Sequence, residues 1–409
     1  MPGKKRAITA YVQFLLNHFP CVAILGARQV GKSTLLKQLL PDAPFYDLED
    51  FQTSEKINED PAFFLSQHTQ SLVFDEAQLC PTLFSALRVQ IDKNRTQNGQ
   101  FLLSGSSSPT LIQQISESLA GRIALIELSP FLWNESWDHP ISDFYTHITQ
   151  QNIQALDTLP HLYPLNQCVT SCFHGGYPDP FLNRHKPDYA QEWMKNYFET
   201  YIQRDIRQLF PGLNNDAYRK FIRMLATASG EIIRHSEFAR SIGVSEPTIR
   251  QYFDIAEGTF LWRRIPAFDR SSQKRLIKSP KGHIRDSGLS LFLQNIGSLD
   301  SFTHHHAFGR LWESAVTEQI IKGFQTLSKP IQYSYYRTKN QAEIDLIIEG
   351  NFGCIPIEIK SASLTRHNQL LALKEFVTEY SCPIGILINQ STKVERLSEK
   401  IIQIPVTCL

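Results

Sequence analysis

Near the start of the chain, Gly26-Ala27-Arg28-Gln29-Val30-Gly31-Lys32-Ser33 places two glycines around four residues and follows the second with a lysine and a hydroxyl. Glycine lets the backbone fold so that consecutive N–H groups face one anion, and a lysine just beyond it can reach the outer phosphate oxygens. The Ser33 hydroxyl is a ligand type that suits Mg2+. A helix opening at this point adds unpaired N–H groups and its positive dipole end. Arg28, Gln29, Val30 and Thr34 fall within the same cradle, and Arg28 could instead reach a neighbouring subunit. The pattern predicts binding of a nucleoside triphosphate, ATP with Mg2+.

A second constellation belongs beside the first. Leu72-Val73-Phe74 runs into Asp75-Glu76. An acid at the end of an apolar strand can orient the metal, which is the role expected of Asp75, and Glu76 can orient and deprotonate the attacking water. Phe101-Leu102-Leu103 ends in Ser104-Gly105-Ser106-Ser107, where Ser104 is placed to sense the γ-phosphate. Arg122 is a candidate to stabilise charge in the transition state, within the chain or across a subunit interface.

The C-terminal part carries a third set. Glu313 falls on a helical stretch, Asp345 opens an apolar run, and Glu358 and Lys360 are two apart in Ile355–Lys360. On a strand, Glu358 and Lys360 share a face because side chains alternate. If the Asp345 and Glu358 strands pair as a hairpin, both carboxylates reach one end of a sheet. Glu313, Asp345 and Glu358 could then bind Mg2+ while Lys360 activates water. Glu318 and Glu343 are nearby alternatives for this site that read rather as solvated surface acids.

Strand–helix alternation should position these groups. Cys21–Leu25, Ala43–Asp47, Ser71–Phe74, Gly99–Leu103 and Ile123–Leu128 read as short apolar strands between helices at 1–20, Ser33–Leu40, Pro61–Gln67 and Pro81–Asn94. That alternation marks a parallel sheet covered on both faces. Beyond residue 140 helical periodicity dominates, notably over Tyr189–Phe210. Ser236–Ser241, Gly243 and Ser245–Ala256 then form a helix-turn-helix pattern, with Phe260–Ile265 opening a wing. Mixed structure returns after residue 280: a helix at Gly309–Gly323, strands at Gln332–Arg337 and Ile384–Ile388, a hairpin over Ala342–Ile359 and a helix at Gln369–Tyr380.

The 409 residues exceed one core, so two or three domains are expected. Net charge is +1, but residues 196–286 hold 16 Lys/Arg against 10 Asp/Glu. Eight of these bases lie between Arg263 and Arg285, and behind a helix-turn-helix pattern they suit backbone phosphates of DNA. Thr248, Arg250 and Gln251 could make groove contacts. Seven scattered cysteines do not form a disulfide framework. Cys168, Cys172, His161 and His174 lack convincing zinc spacing and read as ordinary buried groups. No signal peptide or membrane span is apparent, so a cytoplasmic location away from membranes is expected.

The motifs GARQVGKSTLL, Asp75-Glu76-Ala77-Gln78, LLSGSSS and SLAGRIALIEL together resemble AAA-type ATPases whose C-terminal half is a domain of unknown function. Gly175-Gly176-Tyr177-Pro178, Tyr201–Arg207 and Arg285–Leu289 extend the resemblance along nearly the whole chain. It implies an α/β protein in three parts: an AAA-type P-loop domain over 1–140, a helical lid and winged-helix-like segment over 141–280, and a restriction-endonuclease-like domain over 281–409. Asp345, Glu358 and Lys360 are similar to the core motif of the PD-(D/E)xK superfamily, with Glu313 as its helix glutamate. Three activities are open: an ATPase coupled to a DNA-associated half, an ATP-gated metal-dependent nuclease, or an ATP-driven switch with a protein-docking half. A homo-oligomer is compatible with each.

Overall fold

Five apolar runs, each too short to form more than one strand, line up in a single parallel sheet at the N-terminal end of the computed structural model. They are β1 (Cys21–Leu25), β2 (Phe45–Asp47), β3 (Leu72–Asp75), β4 (Phe101–Gly105) and β5 (Ile123–Glu127), in the order β2-β3-β4-β1-β5. The structure describes residues 3–106, 117–269, 279–327, 329–338, 342–364 and 370–409. Every residue of β1, β3 and β4 is buried, as strands covered by helices on both faces must be. The covering helices include Thr9–His18, Lys32–Leu39, Pro61–Ser66 and Pro81–Lys93. The polar helix Phe51–Glu59 was not expected from sequence; only Ile57 is buried on it, and Asp50 caps it by accepting from the Thr53 N–H.

The described chain groups into two compact units, Met1–Pro130 with Gly258–Phe260, and Phe131–Glu257 with Leu261–Leu409. This division and the sequence-based boundary at 140 differ over residues 131–140, which pack within the second unit. Trp133 enters its core beside Phe144, Tyr145, Trp312 and Phe324. Residues on either side of position 280 also share that unit.

The second unit begins with helices. Tyr189–Thr200, a π-helical turn over Tyr201–Ile206 and Arg207–Leu209 together fill the predicted long helix. His235–Ile242 and Glu246–Gly258 form the expected helix pair, joined through Gly243 at φ 82°, a left-handed conformation that glycine adopts without a Cβ clash. Two strands follow, β6 (Trp262–Ile265) and β7 (Lys281–Ile284), paired antiparallel.

The C-terminal sheet has six strands: β8 (Gln332–Arg337), β9 (Glu343–Gly350), β10 (Gly353–Ile359), β11 (Gly385–Asn389), β12 (Glu395–Ser398) and β13 (Ile401–Pro405). Their order is β12-β13-β11-β10-β9-β8, mixed in direction. The predicted hairpin is β9–β10, with Ile357 opposite Leu346. The helix Phe308–Gln325 packs on it through Val316, Ile320 and Phe324. No described helix is long and apolar enough to cross a membrane.

Candidate active site and the C-terminal acid cluster

The phosphate loop leaves β1 at Leu25 and re-enters regular structure at the helix Lys32–Leu39, whose N-cap Gly31 has φ 96°. No side chain caps that helix and its first turn holds no acid, so its N-terminal end is built to meet an anion. The Ser33 and Thr34 side chains are exposed there. Lys32 is only 4% exposed, and its Nζ donates to the carbonyls of Gly26 (3.2 Å) and Ala27 (3.1 Å). Burial draws this ammonium below its ordinary range, opposed by Glu76 and Asp75. Arg28 pairs with Glu49 at 2.8 Å, tying the loop to the segment after β2. Arg6, which sequence reasoning missed, donates to the Val30 carbonyl within the loop at 2.8 Å.

Asp75 and Glu76 lie at the end of β3, one strand removed from β1 across β4. The Ser104 hydroxyl donates to Asp75 Oδ1 and accepts from the Glu76 N–H at 3.1 Å. Ser104 is fully buried and links the two acids. Glu76 adopts a left-handed backbone at φ 54°, uncommon for a side-chain-bearing residue. Its Oε2 accepts from Gln78 Nε2 (2.6 Å), the Ser106 hydroxyl (2.7 Å) and the Ser106 N–H (3.1 Å). Its Oε1 lies 3.7 Å from Lys32 Nζ. Burial opposes the charge of Glu76, yet Lys32 with the Gln78 and Ser106 hydrogen bonds holds its carboxyl below the usual range. Gln78 and Ser106 were legible only as neighbours of the motif residues, and Ser107 lies outside the described residues.

Arg122 does not join this site. It precedes β5, whose first residue Ile123 pairs with Cys21 at the start of β1, whereas the phosphate loop leaves the other end. Its guanidinium forks onto Asp92 at 2.8 and 2.9 Å.

The four C-terminal residues do converge. Lys360 Nζ lies 2.6 Å from Glu358, 3.7 Å from Asp345 and 3.9 Å from Glu313. A second ammonium, Lys281 from β7, lies 2.6 Å from Glu343 and 3.5 Å from Asp345. Asp345 also accepts from the Ile359 N–H at 2.9 Å. Burial and then the neighbouring Asp345 push the carboxyl of Glu358 up to about 8 and that of Glu313 up to about 7. Among the described residues no three His, Cys, Asp or Glu side chains form a group able to hold a metal ion. Glu313, Asp345 and Glu358, the acids expected to take Mg2+, thus converge around Lys360. Within this cluster, Glu358 Oε2 is buried without a hydrogen-bond partner.

Two further expectations change. Glu318 is no surface acid: it is 3% exposed and meets Arg263, Arg285 (3.3 Å) and His283 (3.0 Å). Burial opposes its charge, and the two arginines overcome this and hold it well below the carboxylate range. Glu343, too, is engaged, by Lys281 and Arg337. Where the basic run is described, Arg263 and Arg285 are buried against Glu318 and Lys281 meets Glu343, while Arg264 makes an exposed pair with Glu257 at 3.0 Å. Arg270, Lys274, Arg275 and Lys278 lie outside the described residues. Cys168 and Cys172 are buried free thiols, as expected.

Residues 18–137 match an AAA domain, residues 165–300 a domain of unknown function (DUF8612) and residues 308–409 a domain of unknown function (DUF4143). Over 362 residues the chain is 31% identical to uncharacterized protein Rv2008c of Mycobacterium tuberculosis, spanning 88% of this chain and 74% of that protein. The same figures hold for uncharacterized protein Mb2031c of Mycobacterium bovis. Among solved structures, the Walker-type ATPase PABY2304 of Pyrococcus abyssi is similar at 14% identity and a TM-score of 0.45, covering 71% of this chain and 98% of that one. The Thermotoga maritima RuvB Holliday junction branch migration motor is similar at 15% identity and a TM-score of 0.32, covering 68% and 96%. The chain belongs to the family of these mycobacterial proteins, and its N-terminal unit is an AAA-type, P-loop ATPase domain.

Proposed function

We propose that the protein hydrolyses ATP with Mg2+ and uses the cycle to set the state of its second unit. The observation that carries this reading is Glu76: a charged carboxylate fixed by Ser106, Gln78 and Lys32, on a left-handed backbone, next to Asp75. A nucleotide that is only bound has no need of a second acid held so closely. The uncapped helix end and the exposed Ser33 and Thr34 hydroxyls suit a phosphate–metal ligand, with Ser33 and Asp75 as the residues that would hold Mg2+. Mg2+, when bound, neutralises charge on the phosphate oxygens. Lys32 exchanges its loop carbonyls for phosphate oxygens, and Glu76 orients a water in line with them. The depressed Glu76 carboxyl makes it an orienting group first and a proton acceptor only as the water is consumed. Steady-state turnover tests this: E76Q should bind ATP and not hydrolyse it. Hydrolysis at the wild-type rate in E76Q would sink the reading.

DNA is the second partner we propose, through a winged-helix-like use of the His235–Gly258 helix pair and the β6–β7 strands. Arg250 and Gln251 support this, being exposed on the second helix. Fluorescence anisotropy with duplex DNA tests it, R250A with Q251A being expected to weaken binding. The acid cluster of Glu313, Asp345, Glu358 and Lys360 is proposed as an ionic link in the C-terminal sheet, with no cleavage step. Plasmid nicking with Mn2+ that disappears in D345A would overturn that assignment in favour of a nuclease.

A further inference from the structure

The phosphate loop is braced from behind by a residue outside it. Arg6 lies just before the helix Thr9–His18, and its carbonyl accepts from the Thr9 N–H (3.1 Å) and the Thr9 hydroxyl (2.7 Å), which fixes the turn it occupies. Its side chain runs inward and is 7% exposed. Nη1 donates to the Val30 carbonyl at 2.8 Å, and Nη2 donates to the Ser129 carbonyl at 2.6 Å. One rigid guanidinium thus joins the middle of the loop to the segment after β5, where Leu128 N–H already bonds the Leu25 carbonyl at 2.7 Å. Ser129 is next to Pro130, at which the chain leaves the first unit.

The consequence follows from peptide geometry. The Val30–Gly31 bond is trans and planar, so its C=O and N–H point in opposite directions. Val30 carbonyl held toward Arg6 means the Gly31 N–H is directed away from Arg6. Gly31 can hold that orientation because φ 96° costs it nothing sterically. The Gly31 N–H is one of the loop donors expected to wrap phosphate oxygens.

We propose that Arg6 is a positioning residue for the nucleotide phosphates, aiming the Gly31 N–H through its bond to the Val30 carbonyl while the Ser129 bond keeps the guanidinium in place. This rests on the reading that the loop binds ATP. Lysine at position 6 reaches at most one of the two carbonyls in the same geometry, and glutamine lacks both the reach and the charge.

The test measures binding of a fluorescent ATP analogue with Mg2+, apo thermal unfolding, and steady-state kcat and KM for wild type, R6K, R6Q and K32A. Losing a charge-assisted brace should weaken nucleotide binding about tenfold in R6Q, with R6K between it and wild type. Because the Gly31 N–H meets phosphate before and during the reaction, the loss should fall on KM, with kcat within about threefold. An R6Q protein with a lowered unfolding temperature but unchanged affinity and KM overturns the proposal, since it would make Arg6 a fold residue only. So does a fall in kcat at unchanged KM. If R6Q does not fold, R6K alone decides on the same two readouts. Failure of the parent reading looks different: wild type and K32A would then bind the analogue equally poorly.

Discussion

Two acid groups in this molecule lie beside lysines and end in opposite states. At the phosphate loop, Glu76 is fixed mainly by neutral donors, Ser106 and Gln78, while Lys32 remains 3.7 Å away and is occupied by loop carbonyls. In the C-terminal sheet, Asp345, Glu358 and Glu313 close on Lys360, with Lys281 on the far side of Asp345. Carbonyl contacts to a lysine are readily exchanged for phosphate oxygens, because a charged acceptor is the stronger partner. Carboxylate contacts are not. The first arrangement is open to an anionic ligand; the second is already neutralised from within.

The largest effects should break this contrast at the loop. K32A removes the only loop ammonium and should reduce analogue binding by about a hundredfold or more, read by fluorescence titration. E76Q keeps the shape but not the charge and should lower kcat by about 10²–10⁴ while ATP still binds. Equal turnover in E76Q and wild type would mean that the Ser106–Gln78 clamp is structural.

Next in size is the C-terminal cluster. K360M would leave three facing acids without the lysine they share. Lys360 is a quarter exposed, so the cost is less than for a fully buried pair, about 1–3 kcal/mol, and K360R should recover most of it. All five tryptophans (Trp133, Trp137, Trp193, Trp262, Trp312) fall in the second unit, so urea unfolding followed by tryptophan fluorescence reports on it selectively. A K360M midpoint equal to wild type would show that the cluster is held apart by solvent.

How much of this contrast is visible in the chain depends on sequence distance. The fully buried strands β1, β3 and β4 are legible because burial on both faces forces unbroken apolar runs, and the P-loop because its chemistry is local. The helix Phe51–Glu59 is not, since a single buried Ile57 leaves no apolar stripe to read, although Asp50 did mark its start. Strand β12 is missed because the polar Glu395–Ser398 lies exposed at a sheet edge; β13, a short apolar run that is mostly buried, is missed too. Convergence of Asp345, Glu358 and Lys360 could be anticipated from a hairpin. Lys281 could not, since it arrives from a different sheet. Glu318 fails for the same reason: its arginines stand 55 and 33 residues away, and nothing near it in sequence signals their approach. Arg6 is the mirror case, a base whose burial nothing near it in sequence signals.

The pH dependence of the two regions should have opposite signs. Glu358 near 8 and Glu313 near 7 keep protons in the folded state that the unfolded chain has released. Their contribution is present below the ordinary carboxylate range and is lost as pH rises toward about 8. The second unit should therefore lose stability between about pH 5 and 8, and E358Q should flatten that slope. Glu76, held low, contributes in the other direction and loses its effect only as pH falls through the acid range. A wild-type slope that E358Q leaves untouched would place the titration elsewhere.

The smallest expected effect is on Arg122, and it discriminates between one chain and several. Four strand steps separate the Cys21–Ile123 pair from the loop end of β1, about 13 Å, so the Arg122 side chain cannot serve the site of its own chain while forked onto Asp92. R122A should leave turnover per chain unchanged when the protein is dilute. If turnover instead rises with protein concentration and R122A removes that rise, the arginine acts on a neighbouring copy, and the phosphate site is complete only in an oligomer. Mixing R122A with E76Q separates the two cases. Neither variant gains activity from the other if each site is self-contained, whereas a shared interface lets the intact Arg122 of one chain complete the intact Glu76 of the next.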